Sequence, residues 1–156
     1  MRVTLLAIGK TDKDFVKKGF EEYAKRLKRY VQFEFIVIPD IKNAKNLNRE
    51  SQKSKEGELL KEKFRGGHVI LLDENGKSYS SLDFAGFIEK MLMTGVKNLI
   101  FVIGGPYGFS DEVYNSCQGK MSISKMTFSH QMIRMIFAEQ LYRSFTIIKG
   151  EPYHHQ

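Results

Sequence analysis

The run Leu99-Ile100-Phe101-Val102-Ile103-Gly104-Gly105-Pro106-Tyr107-Gly108 decides the architecture of this chain. Its five leading residues are apolar without alternation. That is the pattern of a strand buried on both faces, and such strands belong to parallel sheets. The glycines that follow let a backbone approach a ligand closely. In open α/β sheets, ligands bind at the carboxyl ends of strands. The run has neither the G-x-G-x-x-G spacing of a dinucleotide loop nor the Lys-Ser/Thr of a phosphate cradle. By itself it reads equally as a binding loop and as a tight turn into the next helix.

Working outward, Val3–Ile8, Phe33–Ile38 and His68–Asp73 repeat the continuous apolar pattern, and a short fifth strand is expected near Met121–Ile123. Helices are expected between them. Val16, Phe20, Tyr23, Leu27 and Tyr30 form one stripe among Lys and Glu, with Asp12 or Asp14 placed to cap its start. The segment 48–64 is more polar, anchored by Leu59, Leu60 and Phe64. Leu82–Met93 ends at Gly95, and Asp111–Cys117 is short. The segment 40–47 is the expected mobile loop. The last helix, 131–148, is apolar nearly all round, so a partner subunit is expected to cover Met135, Phe137, Leu141, Phe145 and Ile148. Together these elements predict one α/β domain over residues 1–156, a mainly parallel sheet flanked by helices.

Composition narrows the function classes. The chain has 156 residues, 42% of them hydrophobic, enough for a core. No apolar stretch reaches the roughly 20 residues of a membrane span. The opening run Met1–Ile8 lacks the length and cleavage site of a signal peptide and reads as a first strand. A single cysteine, Cys117, excludes an internal disulfide framework and fits the cytoplasm; it reads as a small buried residue, not a nucleophile. The net charge of +7 favours an anionic partner, nucleic acid first, although Lys and Glu are mixed along the helices.

Two further segments carry candidate chemistry. The loop after Met121, ending at Phe128, offers backbone N–H and C=O groups to an adenine edge. His130 follows it, where a helix start can bind an anion or a histidine can move a proton. The tail Gly150-Glu151-Pro152-Tyr153-His154-His155-Gln156 is not ordinary disordered composition. There Tyr153 could stack on a base and His154 accept a proton. A zinc site of His130, His154 and His155 lacks the usual ligand spacing, and no metal is expected.

Taken in order, eight motifs resemble one family. They are Leu5-Leu6-Ala7-Ile8-Gly9-Lys10, Lys55-Glu56-Gly57-Glu58, Leu71-Leu72-Asp73 with Gly76-Lys77, and Phe101-Val102-Ile103-Gly104-Gly105. The others are Ser124-Lys125-Met126-Thr127-Phe128, His130-Gln131-Met132, Glu139-Gln140-Leu141-Tyr142-Arg143 and Pro152-Tyr153-His154. The family is the small single-domain SPOUT methyltransferases that modify N3 of a pseudouridine in 23S rRNA. The resemblance implies a C-terminal trefoil knot, a homodimer and S-adenosyl-L-methionine as methyl donor, without metal or membrane. It places the donor against Leu72, Gly104, Gly105 and the run Ile123, Ser124, Lys125, Met126, Thr127, Phe128. It implies base placement and proton handling by Tyr153 and His154, and phosphate or base contacts by Arg143 and His130. The implied substrate is 23S rRNA within the assembled 70S ribosome. Two positions depart from the commoner pattern: Ser129 stands where many relatives have Pro, and His155 where Lys or Arg is usual. The competing readings are a ribosome-binding module without chemistry and a SPOUT enzyme acting on transfer RNA.

Overall fold

The structure is a computed structural model that describes residues 1–155. Five strands form one parallel sheet: β1 (Arg2–Ile8), β2 (Gln32–Ile38), β3 (His68–Ser78), β4 (Asn98–Ile103) and β5 (Gly119–Ser122). Their spatial order is β2-β1-β4-β3-β5. The helices are α1 (Asp14–Leu27), α2 (Arg49–Glu62), α3 (Ser81–Met93), α4 (Asp111–Asn115) and α5 (Met132–Ile148).

The unbroken apolar runs have a geometric cause. Successive strand residues point to opposite faces. Val3, Leu5 and Ala7 of β1 and Phe101 of β4 enter one core, with Phe20, Leu27, Ile88, Phe137, Leu141 and Phe145 of α1, α3 and α5. Leu6 and Ile8 of β1 and Ile100 and Val102 of β4 enter the other, with Leu60 and Val113 of α2 and α4. Both faces are therefore covered, and no strand residue of β1 beyond Arg2 can be polar without a partner. Thr4, the one exception, donates its hydroxyl to Asn98 Oδ1 at 3.1 Å.

Several boundaries differ from the sequence reading. Neither Asp12 nor Asp14 caps α1; Lys13 holds that position without a side-chain bond, and the Asp12 N–H goes to Gln131 Oε1 instead. The strand expected at 121–123 lies two residues earlier at its start, because β5 is defined by pairing with β3, from Ile70↔Gly119 onward. β3 runs five residues past Asp73 through a register shift between Leu72 and Lys77. Gly76 sits in that shift, where a Cβ would fall 2.6 Å from the Met121 backbone. The segment 40–47 contains a 3-10 turn, Ala44–Asn46. Other ends follow from local chemistry. Asn48 caps α2, Ser80 and Asp83 form a capping box on α3, and Gly95 takes φ +75° after its last turn.

The largest correction concerns α5. Phe137, Leu141 and Phe145, expected at a subunit contact, lie inside the chain's own core, and Met135 sits against Gly19 of α1. The absence of a polar face is thus met largely by α1, α3 and the sheet. The one long charged side chain wholly inside is Arg134, with no solvent exposure. Its Nε donates to the His130 carbonyl at 3.0 Å, Nη1 to Thr11 Oγ1 at 2.9 Å and Nη2 to the Ile8 carbonyl at 2.8 Å. Gln131 adds a bond from Nε2 to the Lys10 carbonyl at 2.9 Å. These bonds tie the start of α5 to the end of β1. Arg134→Ala is expected to lower unfolding free energy by about 3 kcal/mol, since it strands buried carbonyls and removes volume. Arg134→Lys should recover little of this, because one ammonium cannot span the three acceptors. Denaturant melts check both; a loss under about 1 kcal/mol for the alanine variant would contradict the role given to this residue.

Candidate active site

The carboxyl ends of β3, β4 and β5 open into a cleft of about 710 Å³. Leu72, Ile103, Gly104 and Gly105 line it from the strand ends, Ile123, Ser124, Met126, Thr127 and Phe128 from the loop after β5, and His130 and Ile133 from the start of α5. Of the expected donor contacts, all but Lys125 line this space. A cleft of this size is ordinary for a small-molecule ligand. The loop 123–128 makes no backbone–backbone hydrogen bond among the described residues. Ser124 Oγ accepts from the Met126 N–H at 2.9 Å, and the Ser124 carbonyl accepts from Ser122 Oγ at 2.8 Å. The other backbone groups stay available at the cleft edge, as recognition of a base edge requires.

Residues given no site role from the sequence complete the cleft. Asp73 lines it; one carboxylate oxygen accepts from Tyr114 Oη and the other from the Asn75 N–H. Burial and that bond push the Tyr114 phenol far above its usual range, so it stays a donor. Arg49 of α2 lies over the Tyr107 ring, 5.1 Å from its centre, at the rim. Asp73 follows Leu72 in sequence, but Tyr114 and Arg49 carried no sequence signal.

The glycines at the end of β4 are required from below as well as by any ligand. A Cβ on Gly104 would meet the buried Phe109 ring at 3.1 Å, and one on Gly105 would overlap the Glu56 carboxyl, with its Cδ at 2.8 Å. Gly104→Val, the natural probe of donor binding, would therefore disturb packing too. Glu56 is only 3% exposed. Its Oε1 accepts from Gln52 Nε2 at 3.0 Å, and its Oε2 has no partner. Burial first, and the charge of Asp40 second, push this carboxyl above its usual range, against the bond from Gln52.

Tyr153, His154 and Arg143 form a separate cluster. Arg143 Nη2 donates to Glu139 Oε1 at 2.5 Å, and Tyr153 Oη donates to the same oxygen at 3.0 Å. Arg143 Nη1 faces His154 Nδ1 at 3.3 Å, and its guanidinium lies 4.8 Å from the Tyr153 ring centre. Tyr142 packs edge-on to Tyr153, and Tyr23 of α1 lies 3.5 Å from its hydroxyl. Desolvation leads, with the bonds to Tyr23 and Glu139, in raising the Tyr153 phenol far out of its usual range. The Tyr153 phenol therefore holds its proton more tightly than a free tyrosine does. Glu139, part of a sequence motif but given no role there, joins the cluster as the i−4 partner of Arg143. The tail is docked: Tyr30 Oη donates to Glu151 Oε2 at 2.5 Å. His155 is exposed, without a hydrogen bond among the described residues.

The cleft and the tail cluster are distinct within one chain. Only His130, of the four residues assigned to chemistry, lines the cleft. Ile133 and Arg143 are ten residues apart on α5, about 15 Å of helix rise. The zinc alternative does not assemble, since His130 and His154 belong to different clusters and no group of three ligating side chains exists among the described residues. Cys117 follows α4, donates to the Tyr114 carbonyl at 3.2 Å, and is pushed above its usual range chiefly by burial, which fits a structural thiol.

A family described as "Predicted SPOUT methyltransferase" matches residues 1–154. The chain belongs to the SPOUT methyltransferase family. Relatives named Ribosomal RNA large subunit methyltransferase H are 56% identical in Christiangramia forsetii and 55% in Flavobacterium johnsoniae, each covering 100% of both chains. A solved probable methylase family protein from Haemophilus influenzae shares the fold with a TM-score of 0.57 at 12% identity, over 95% of this chain and 66% of its own. As a SPOUT methyltransferase, the chain has its cleft at the strand ends that the glycine run marked. The orphaned Glu56 oxygen gives this cleft a measurable signature. A carboxyl whose folded pKa is raised stabilises the fold at low pH, where both states are protonated, and loses that contribution as pH rises through the folded value. Glu56→Gln should therefore stabilise the protein by about 1 kcal/mol at neutral pH and by progressively less toward pH 4.5, the ordinary carboxyl value. Thermal melts of both proteins across that range check this; equal melting temperatures throughout would contradict it.

Proposed function

We propose that this protein transfers a methyl group from S-adenosyl-L-methionine to N3 of a pseudouridine in 23S rRNA, acting in the cytoplasm on the assembled 70S ribosome. The observation that carries the reading is full-length identity above one half to proteins named for methylating large-subunit ribosomal RNA. The cleft supports it, because a nucleoside ligand fits its volume and the unbonded loop backbone suits an adenine edge. Leu72, Gly104, Gly105 and residues 123–128 hold the donor. The bound donor supplies a sulfonium methyl whose leaving group is a neutral thioether, so no metal is required. No described helix is long and apolar enough to cross a membrane.

Substrate handling falls to the tail. Arg143 turns from His154 to an RNA phosphate, freeing His154 Nδ1 to take the N3 proton. Tyr153 donates from its hydroxyl and presents its ring to a base, and His130 contacts RNA from the cleft side. Because the tail lies about 15 Å along α5 from the cleft, one protomer's tail is proposed to serve its partner's cleft in a homodimer. The crossing of chain from β5 to α5, gripped by Arg134 at the β1 end, is proposed to be threaded as the family's trefoil knot.

Mixed dimers test the shared site. Thr127→Trp fills the cleft from an exposed loop, and His154→Ala disables the tail; each homodimer should be inactive. Their heterodimer should recover about one quarter to one half of wild-type turnover per dimer, since one site in it is whole. No recovery would overturn the shared site. Methylation should also be far faster on 70S ribosomes than on naked rRNA, because a single small domain has little surface for reading sequence and phosphate contacts carry none. Equal rates on both would overturn the 70S assignment. Failure to bind S-adenosyl-L-methionine would favour the ribosome-binding module, and preferential methylation of transfer RNA the other rival.

A further inference from the structure

Glu56 has no part in the reaction described above, yet its placement is unusual. It is the one buried side chain among the described residues with an unpartnered polar atom. Its carboxyl fills the space that a Gly105 side chain would need, and Gly105 is cleft wall. Only a strip of glycine backbone therefore separates this carboxyl from the ligand. No cation among the described residues comes within ion-pairing distance of it. A buried carboxylate in this state is destabilising unless an opposite charge appears nearby.

The reaction provides such a charge and then removes it. We propose that Glu56 distinguishes donor from spent product: beneath the Gly104–Gly105 wall, its carboxylate favours the sulfonium cation and disfavours the neutral thioether. This rests on the reading of the cleft as the donor site. When the donor binds, its sulfonium faces the Glu56 carboxyl and shifts it toward the ionised form, with the proton going to solvent. As the methyl carbon bonds to N3, the electron pair of the breaking C–S bond stays on sulfur, which becomes neutral. The carboxylate then faces no cation and shifts back toward the protonated form, and product is released.

Other titrating groups surround this one. Asp40, after β2, adds negative charge on the protein side, and Gln52 holds the second oxygen. Arg49, Glu50 and Lys53 stand on α2 with Glu56 itself, and Asp73, Glu74 and His130 line the cleft from other elements. All of these remain in Glu56→Gln, so the difference between that variant and the wild type isolates Glu56. The substitution keeps the side-chain shape and an oxygen for Gln52.

Titration calorimetry of the intact protein with S-adenosylmethionine and with S-adenosylhomocysteine tests the proposal. It is run at mildly acid and neutral pH in two buffers of different ionisation enthalpy. Wild-type protein should release more protons on binding donor than on binding product. In Glu56→Gln that difference should shrink, and the donor-to-product affinity ratio should fall about tenfold, as expected for unit charges across one backbone layer. A purely structural role would change both affinities together and leave the ratio intact. An unchanged ratio overturns the proposal. Should the variant not fold, equal proton release for donor and product by the wild type overturns it equally. Binding of neither ligand overturns the donor-site reading, and this proposal with it.

Discussion

A cation without solvent or carboxylate contact holds the two ends of this fold together. Arg134 has no ion pair among the described residues; it is neutralised by the dipoles of two carbonyls and a hydroxyl. Desolvation lowers its pKa, while Asp12 and Asp40 act at longer range in the opposite direction. A guanidinium suits this place because its planar fork meets several acceptors at once and it stays charged when buried. Its acceptors belong to segments more than a hundred residues apart in sequence. The end of β1, the loop after it and the start of α5 therefore form one rigid unit.

That unit determines where the cleft can be. The His130 carbonyl is fixed by Arg134, so the loop 123–128 has one end set by this bond and the other by β5 pairing with β3. Between those anchors its backbone makes no backbone–backbone hydrogen bond among the described residues, which leaves most of its polar groups open to the cleft. The opposite wall is fixed differently. Gly104 and Gly105 lie over Phe109 and Glu56 with no room for a side chain. The glycine run is thus closely packed from below and lines the cleft from above.

The tail follows another logic. Residues 150–155 add little core, yet Tyr153 and His154 are held by Glu139 and Arg143, one turn apart on α5, and by Tyr23 of α1. An acceptor shared between a phenol and a guanidinium orients both groups before any substrate arrives. Burial and the same bond make the Tyr153 proton harder to remove than that of a free phenol.

The amino-acid sequence alone determined the strands of the parallel sheet, because burial on both faces leaves an unbroken apolar run that periodicity detects. It also located the glycine turn, the loop before His130 and the tail, through residue types that are uncommon in plain core or plain surface. The tertiary structure alone decided what lies between them. Asp73 of β3 meets Tyr114 of α4, Glu56 reaches Gly105 from α2, and Arg134 finds its acceptors more than a hundred residues away as well as beside it. The sequence marked α5 as buried but not by what, since periodicity reports that a face is covered and carries no information about the covering surface. Here most of it is the chain's own, because α1 and α3 already pack along that helix.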